Sequence, residues 1–85
     1  MSISNYVIIP HNKEGVIMIG KRLRQMRIAA GFSQMELAQA LGIAQSTLSG
    51  YETDSSMPNY YMVERIAALC EFNIVFIDKN SAETI

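Results

Sequence analysis

Residues 33–51 constrain this chain more than any other stretch. Ser33-Gln34-Met35-Glu36 has the spacing of a capping box. A serine hydroxyl can accept from the third amide of a helix while the glutamate reaches back to the serine amide. Leu37, Ala38 and Leu41 then recur as one face of a short helix, and Gly42 stops it where a positive φ is needed. A second short helix is expected over Gln45–Glu52, with Leu48 and Tyr51 turned inward. Small Ala38 lets the two helices approach closely, and Leu37, Leu41, Ile43, Leu48 and Tyr51 fill the angle between them. Each feature alone is a weak signal. Their joint spacing specifies two helices held across a tight turn.

Upstream, Ile19, Leu23, Met26 and Ala30 recur at helical spacing, and Gly31 closes that helix as a left-handed cap. Downstream, residues 53–57 are polar and precede Pro58, which predicts a loop. Asn59 then caps a fourth helix whose Met62, Val63, Ile66, Ala67 and Leu69 face the core. The two ends have a different character. Residues 5–9 form a β-rich run closed by Pro10, and residues 11–15 read as a turn. Asn73–Asp78 is β-branched and aromatic, apolar on both faces, so it needs cover on both. An isolated strand does not persist in water. This one pairs with residues 6–9, with its own copy across a two-fold axis, or with both. The last seven residues, from Lys79, are polar and expected to fray. Without an internal repeat or boundary, residues 1–85 form one expected domain. Its helical core runs from about 17 to 70, and its β-forming ends lie at about 5–9 and 73–78.

A chain of 85 residues supports one modest core. Hydrophobic residues make up 49% and charged residues 18%, which argues against disorder and leaves apolar surface for a partner. One cysteine makes no internal disulfide, and Cys70 is expected to be a small buried hydrophobe. Of Tyr60 and Tyr61, one is expected to be buried and one exposed. No apolar run approaches the roughly 18 residues of a membrane span. The first residues lack a basic-then-apolar signal pattern, so the expected compartment is the cytoplasm. The net charge of −1 conceals an asymmetry. Lys13, Lys21, Arg22, Arg24 and Arg27 face only Glu14 in residues 1–27, whereas the remainder holds two bases and seven acids. A patch of that kind suits a polyanion. Catalysis is not expected: the single histidine, His11, sits in a polar turn. No metal-ligand spacing, glycine-rich phosphate loop or cofactor motif is present either.

Arg27-x-x-x-Gly31-x-Ser33-Gln34-x-x-Leu37-Ala38-x-x-Leu41-Gly42-Ile43, followed by Gln45-Ser46-Thr47-Leu48-Ser49-Gly50-Tyr51-Glu52, resembles the Cro and phage-repressor (XRE) type of helix-turn-helix over about residues 19–70. The resemblance implies a mainly α, lambda-repressor-like bundle of four or five helices with a small terminal β element. It also implies a transcriptional regulator that binds double-stranded DNA sequence-specifically, as a repressor working as a homodimer on a palindromic operator. The setting is the nucleoid of a prokaryotic cell or phage-infected host. In such proteins the third helix lies in the major groove with its first turn nearest the bases. With Leu48 and Tyr51 inward, Gln45, Ser46 and Ser49 point outward beside Thr47. Glutamine pairs bidentately with adenine, and serine or threonine contacts several bases. The resemblance further implies a phosphate held by Gln34 with the amides of the second helix. Arg22 and Arg24 are further candidate phosphate contacts, and Arg27 with Glu52 is implied to be a structural ion pair.

One departure matters. Members commonly carry lysine or arginine in the loop after the third helix, whereas here it reads Thr53-Asp54-Ser55-Ser56-Met57-Pro58. Fewer phosphate-neutralising charges lower affinity and flatten its salt dependence. The alternative is a protein-interaction module that keeps the helix-turn-helix shape without binding DNA. The run from Cys70 to Asn80 is also similar to the strand that follows the helices in HipB-type antitoxins, where such strands pair across the dimer axis. That similarity implies a dimer interface of Ile74, Val75, Phe76 and Ile77. It also adds a toxin protein to the candidate partners.

Overall fold

A computed structural model describes residues 6–12, 15–16 and 19–78. The expected tail from Lys79 lies outside them, as do Asn5 and positions 17–18 at the start of the expected strand and helical core. The order is β1 (Tyr6–Asn12), β2 (Gly15–Val16), α1 (Gly20–Ala30), α2 (Gln34–Leu41), α3 (Gln45–Glu52), α4 (Tyr60–Leu69) and β3 (Asn73–Asp78). The fold is mainly helical with a small sheet, as expected.

The local signals act where their spacing places them. Ser33 Oγ accepts from the Glu36 amide at 3.0 Å, and the Ser33 amide donates to Glu36 Oε1 at 2.9 Å, closing the capping box. Gly42 adopts φ 75°, and the Ile43 amide returns to the Ala38 carbonyl, so the chain reverses within two residues. Asn59 caps α4 through Oδ1 on the Met62 amide. Ile19, Leu23, Met26, Leu37, Leu48 and Ile66 form the centre of one core in which Cys70 is also buried.

Two positions at helix ends differ from the sequence expectation. Leu69 is 38% exposed, because the buried stripe of α4 runs through Val63, Ile66, Ala67 and Cys70, and Leu69 falls one residue off it. Ala30, the last residue of α1, is exposed beyond the core. Tyr60 and Tyr61 are both exposed, and Tyr61 lies under the Arg65 guanidinium with 5.9 Å to the ring centroid. Arg65 also donates to the Leu41 carbonyl at 2.9 Å, placing a cation at the negative end of α2 and tying α4 to it.

The sheet has the order β2-β1-β3. β1 and β3 pair in parallel, Tyr6 with Asn73 through His11 with Asp78, and the four helices supply the crossover that a parallel pair requires. Of the pairings the sequence leaves open, the one with β1 is formed within the chain. β1 runs through Pro10 instead of ending there, and it takes in His11, a residue whose surroundings in the sequence suggest a turn. Among the described residues, β2 joins antiparallel at His11 and Asn12. Val7 and Ile9 are buried against the helices while Tyr6 and Ile8 point away, the alternation of a half-covered sheet. The sheet rests on α1 and α4, and α2 and α3 pack against each other elsewhere in the bundle.

Candidate nucleic-acid interface

The α2–α3 pair carries a polar surface supported by one hydrogen-bonded chain. Its anchor is Glu52, whose side chain is only 2% exposed. A buried carboxylate needs charge and donors around it. Arg27 donates from Nε to Glu52 Oε2 at 2.6 Å and from Nη2 to Oε1 at 3.0 Å, while its Nη1 reaches the Phe32 carbonyl at 3.0 Å. Gln34 Nε2 adds a bond to Glu52 Oε1 at 3.1 Å. The Gln34 oxygen then accepts from Gln45 Nε2 at 3.4 Å. The ion pair, the first residue of α2 and the first residue of α3 are therefore linked.

On α3, Gln45 and Ser46 are exposed, Thr47 and Ser49 are half-buried, and Leu48 is buried. The helix presents two side chains fully and two partly, from an inner face that locks it in place. Gln34 is half-buried and engaged on both ends of its amide, which orients it beside Gln45 at the N-terminus of α2. The two basic candidates separate. Arg24 is exposed on α1, whereas Arg22 donates its Nε to the Ile8 carbonyl and is committed to β1. Ile74 is half-buried and Val75 exposed, on a strand whose other edge pairs with β1. The side chains of Phe76 and Ile77 lie outside the described residues.

Sequence reasoning misses the bonds of Gln34 to Glu52 and Gln45, as well as Arg65 on the Leu41 carbonyl, Arg22 on the Ile8 carbonyl, and Asp54 Oδ1, which accepts from the Gly20 amide at 3.0 Å. None has a local signature, because each joins segments far apart in the chain. Burial pushes the Cys70 thiol up to about 11, with Arg27 pulling it down and Glu52 raising it further. No three His, Cys, Asp or Glu side chains converge to hold a metal among the described residues. No helix among them is long and apolar enough to cross a membrane.

Two tightly packed short helices, an exposed polar third helix and a buried arginine–glutamate anchor define a helix-turn-helix domain. A family model for the helix-turn-helix domain matches residues 19–74, and the chain belongs to that family, of the Cro and phage-repressor type. It is 32% identical over 68 residues to the HTH-type transcriptional regulator SinR of Bacillus licheniformis, covering 79% of this chain and 61% of that protein. It is 34% identical over 62 residues to the antitoxin PezA of Streptococcus pneumoniae, covering 72% of this chain and 37% of that protein. The chain thus spans about three-fifths or less of the length of these relatives. A solved structure, the N-terminal DNA binding domain of SinR from Bacillus subtilis, matches with a TM-score of 0.56 at 37% identity, over 62% of this chain and 78% of that one.

Proposed function

We propose that this chain is a sequence-specific regulator of transcription that binds double-stranded DNA through α3, as one domain of a homodimer on a palindromic operator. The observation that carries this is the joined pair Gln34 and Gln45, presented at adjacent helix starts on a buried Arg27–Glu52 anchor. Gln45 and Ser46, at the exposed first turn, read base edges in the major groove. Thr47 and Ser49 flank them, and Gln34 with the α2 N-terminus holds a phosphate. Arg24 adds a phosphate contact, with a smaller share for Arg22 because β1 already engages it. The outer edge of β3 supplies the dimer contact through Ile74, Val75, Phe76 and Ile77, and repression follows from occlusion of a promoter.

Selection of random duplex DNA on the purified protein at near-physiological salt tests this. The expected result is an enriched palindrome whose half-sites are about one helical turn apart. A folded protein that enriches nothing would instead be a helix-turn-helix-shaped protein-interaction module. A second role is favoured by one observation: Tyr6, Ile8 and Val75 are exposed on the outer face of the sheet, on β1 and β3. A toxin held on that face would make the chain an antitoxin, as the relative PezA is named.

A further inference from the structure

α1 starts without a cap of its own, since Ile19 occupies the N-cap position and offers no side-chain hydrogen bond. The cap arrives from the loop after α3. The Gly20 amide donates to Asp54 Oδ1 at 3.0 Å, across 34 residues of sequence. Asp54 sits at φ 63° to make that bond, in the left-handed region that aspartate and asparagine tolerate better than most residues. Gly20 meanwhile lies directly against the end of α3. A Cβ added there would fall 2.5 Å from the Glu52 carbonyl oxygen and 2.8 Å from that of Tyr51. Both obstacles are backbone, so no rotamer change relieves them.

The positive end of α1 therefore meets the negative end of α3, with one carboxylate bridging the junction. Arg27, further along α1, grips the side chain of Glu52. Buried Leu48 seats α3 in the core, and the C-terminal end of that helix is held to α1 at two points. Two fastenings, one through backbone at Gly20 and one through side chain at Glu52, fix its direction. The carboxylate of the acidic loop is also accounted for, because it serves α1.

We propose that Gly20 and Asp54 are positioning residues for DNA recognition: their junction sets the angle at which α3 is presented, without either residue touching DNA. This rests on the DNA-binding function proposed above. The test compares wild type, Asp54→Gly and Asp54→Asn for affinity to the enriched operator and to a scrambled duplex of equal length, alongside thermal midpoints. Glycine removes the acceptor while tolerating the left-handed backbone, and asparagine keeps an acceptor oxygen. Asp54→Gly is expected to lower the ratio of specific to nonspecific affinity about tenfold, the size of one misread base pair, with Asp54→Asn close to wild type. A lowered thermal midpoint at an unchanged ratio in Asp54→Gly would overturn the proposal, leaving a merely structural cap. So would a loss of ratio of about tenfold in Asp54→Asn relative to wild type, a comparison that does not depend on the glycine variant folding. A wild-type protein that enriches no sequence overturns the DNA-binding function itself and this proposal with it.

Discussion

Arg27 holds Glu52 by two hydrogen bonds, joining α1 to the last residue of α3 inside the protein: the two side chains are 12% and 2% exposed. The pair is shielded from the solvent screening that weakens surface ion pairs. Gln34 and the Phe32 carbonyl satisfy most of what remains of its hydrogen-bonding capacity. Removing one partner strands the other charge. Arg27→Ala or Glu52→Ala is expected to cost about 3–5 kcal/mol, read from urea unfolding with an unchanged slope. A loss below about 1 kcal/mol, the range of exposed pairs, would mean that water reaches the site.

The capping box gives a smaller, separable effect. Ser33→Ala removes the bond to the Glu36 amide, and its expected cost is about 0.5–2 kcal/mol. Since Gln34 begins the same helix, fraying there also loosens the support of Gln45. An unchanged unfolding midpoint would show that the hydroxyl contributes nothing to stability.

Gln45 is both exposed and bonded to Gln34. Gln45→Ala is expected to relax base preference at one operator position, by about 1–3 kcal/mol of discrimination, with other positions retained. Binding-site selection on the variant reads this directly. Unaltered preference at every position would take Gln45 out of the readout.

Dimerisation through β3 calls for a variant that spares the fold. Cutting the chain before Asn73 is expected to abolish the dimer, but it also removes the partner of β1. Val75 is exposed, so Val75→Lys places a charge at the sheet edge without entering the core. Sedimentation should then show a monomer whose helical circular dichroism matches wild type. A persistent dimer would move the interface elsewhere.

Cys70 supplies a pH-dependent prediction. Its thiol is raised from 9.0 to about 11, chiefly by burial, so the fold favours the neutral form. The raised value makes this stabilisation complete below pH 9.0 and lost as pH climbs toward 11. Alkylation at pH 8 should be slow in the folded protein and fast in denaturant, because only the thiolate reacts. Equal rates in both states would show an open thiol.

Much of the helical part is legible in the amino-acid sequence itself. The capping box of Ser33 and Glu36, the turn at Gly42 and the inward Leu48 depend on residues within a turn or two of one another. Spacing along the chain therefore encodes them. The exposure of Gln45 and Ser46 follows from the same periodicity. Misplaced expectations gather where helices end, at Ala30 and Leu69. There a residue one step off the stripe, or past the last packed turn, loses its neighbours.

Tertiary structure alone decides the rest. Pairing of β1 with β3, the grip of Arg22 on the Ile8 carbonyl and of Arg65 on the Leu41 carbonyl, and the bond from Gly20 to Asp54 link segments between 14 and 67 residues apart. Which of these partners meet depends on how the helices pack, and a carbonyl or amide carries no sequence label to announce it. Local spacing chose the helices and their inner faces. Long-range approach of backbone groups chose what each arginine and aspartate does.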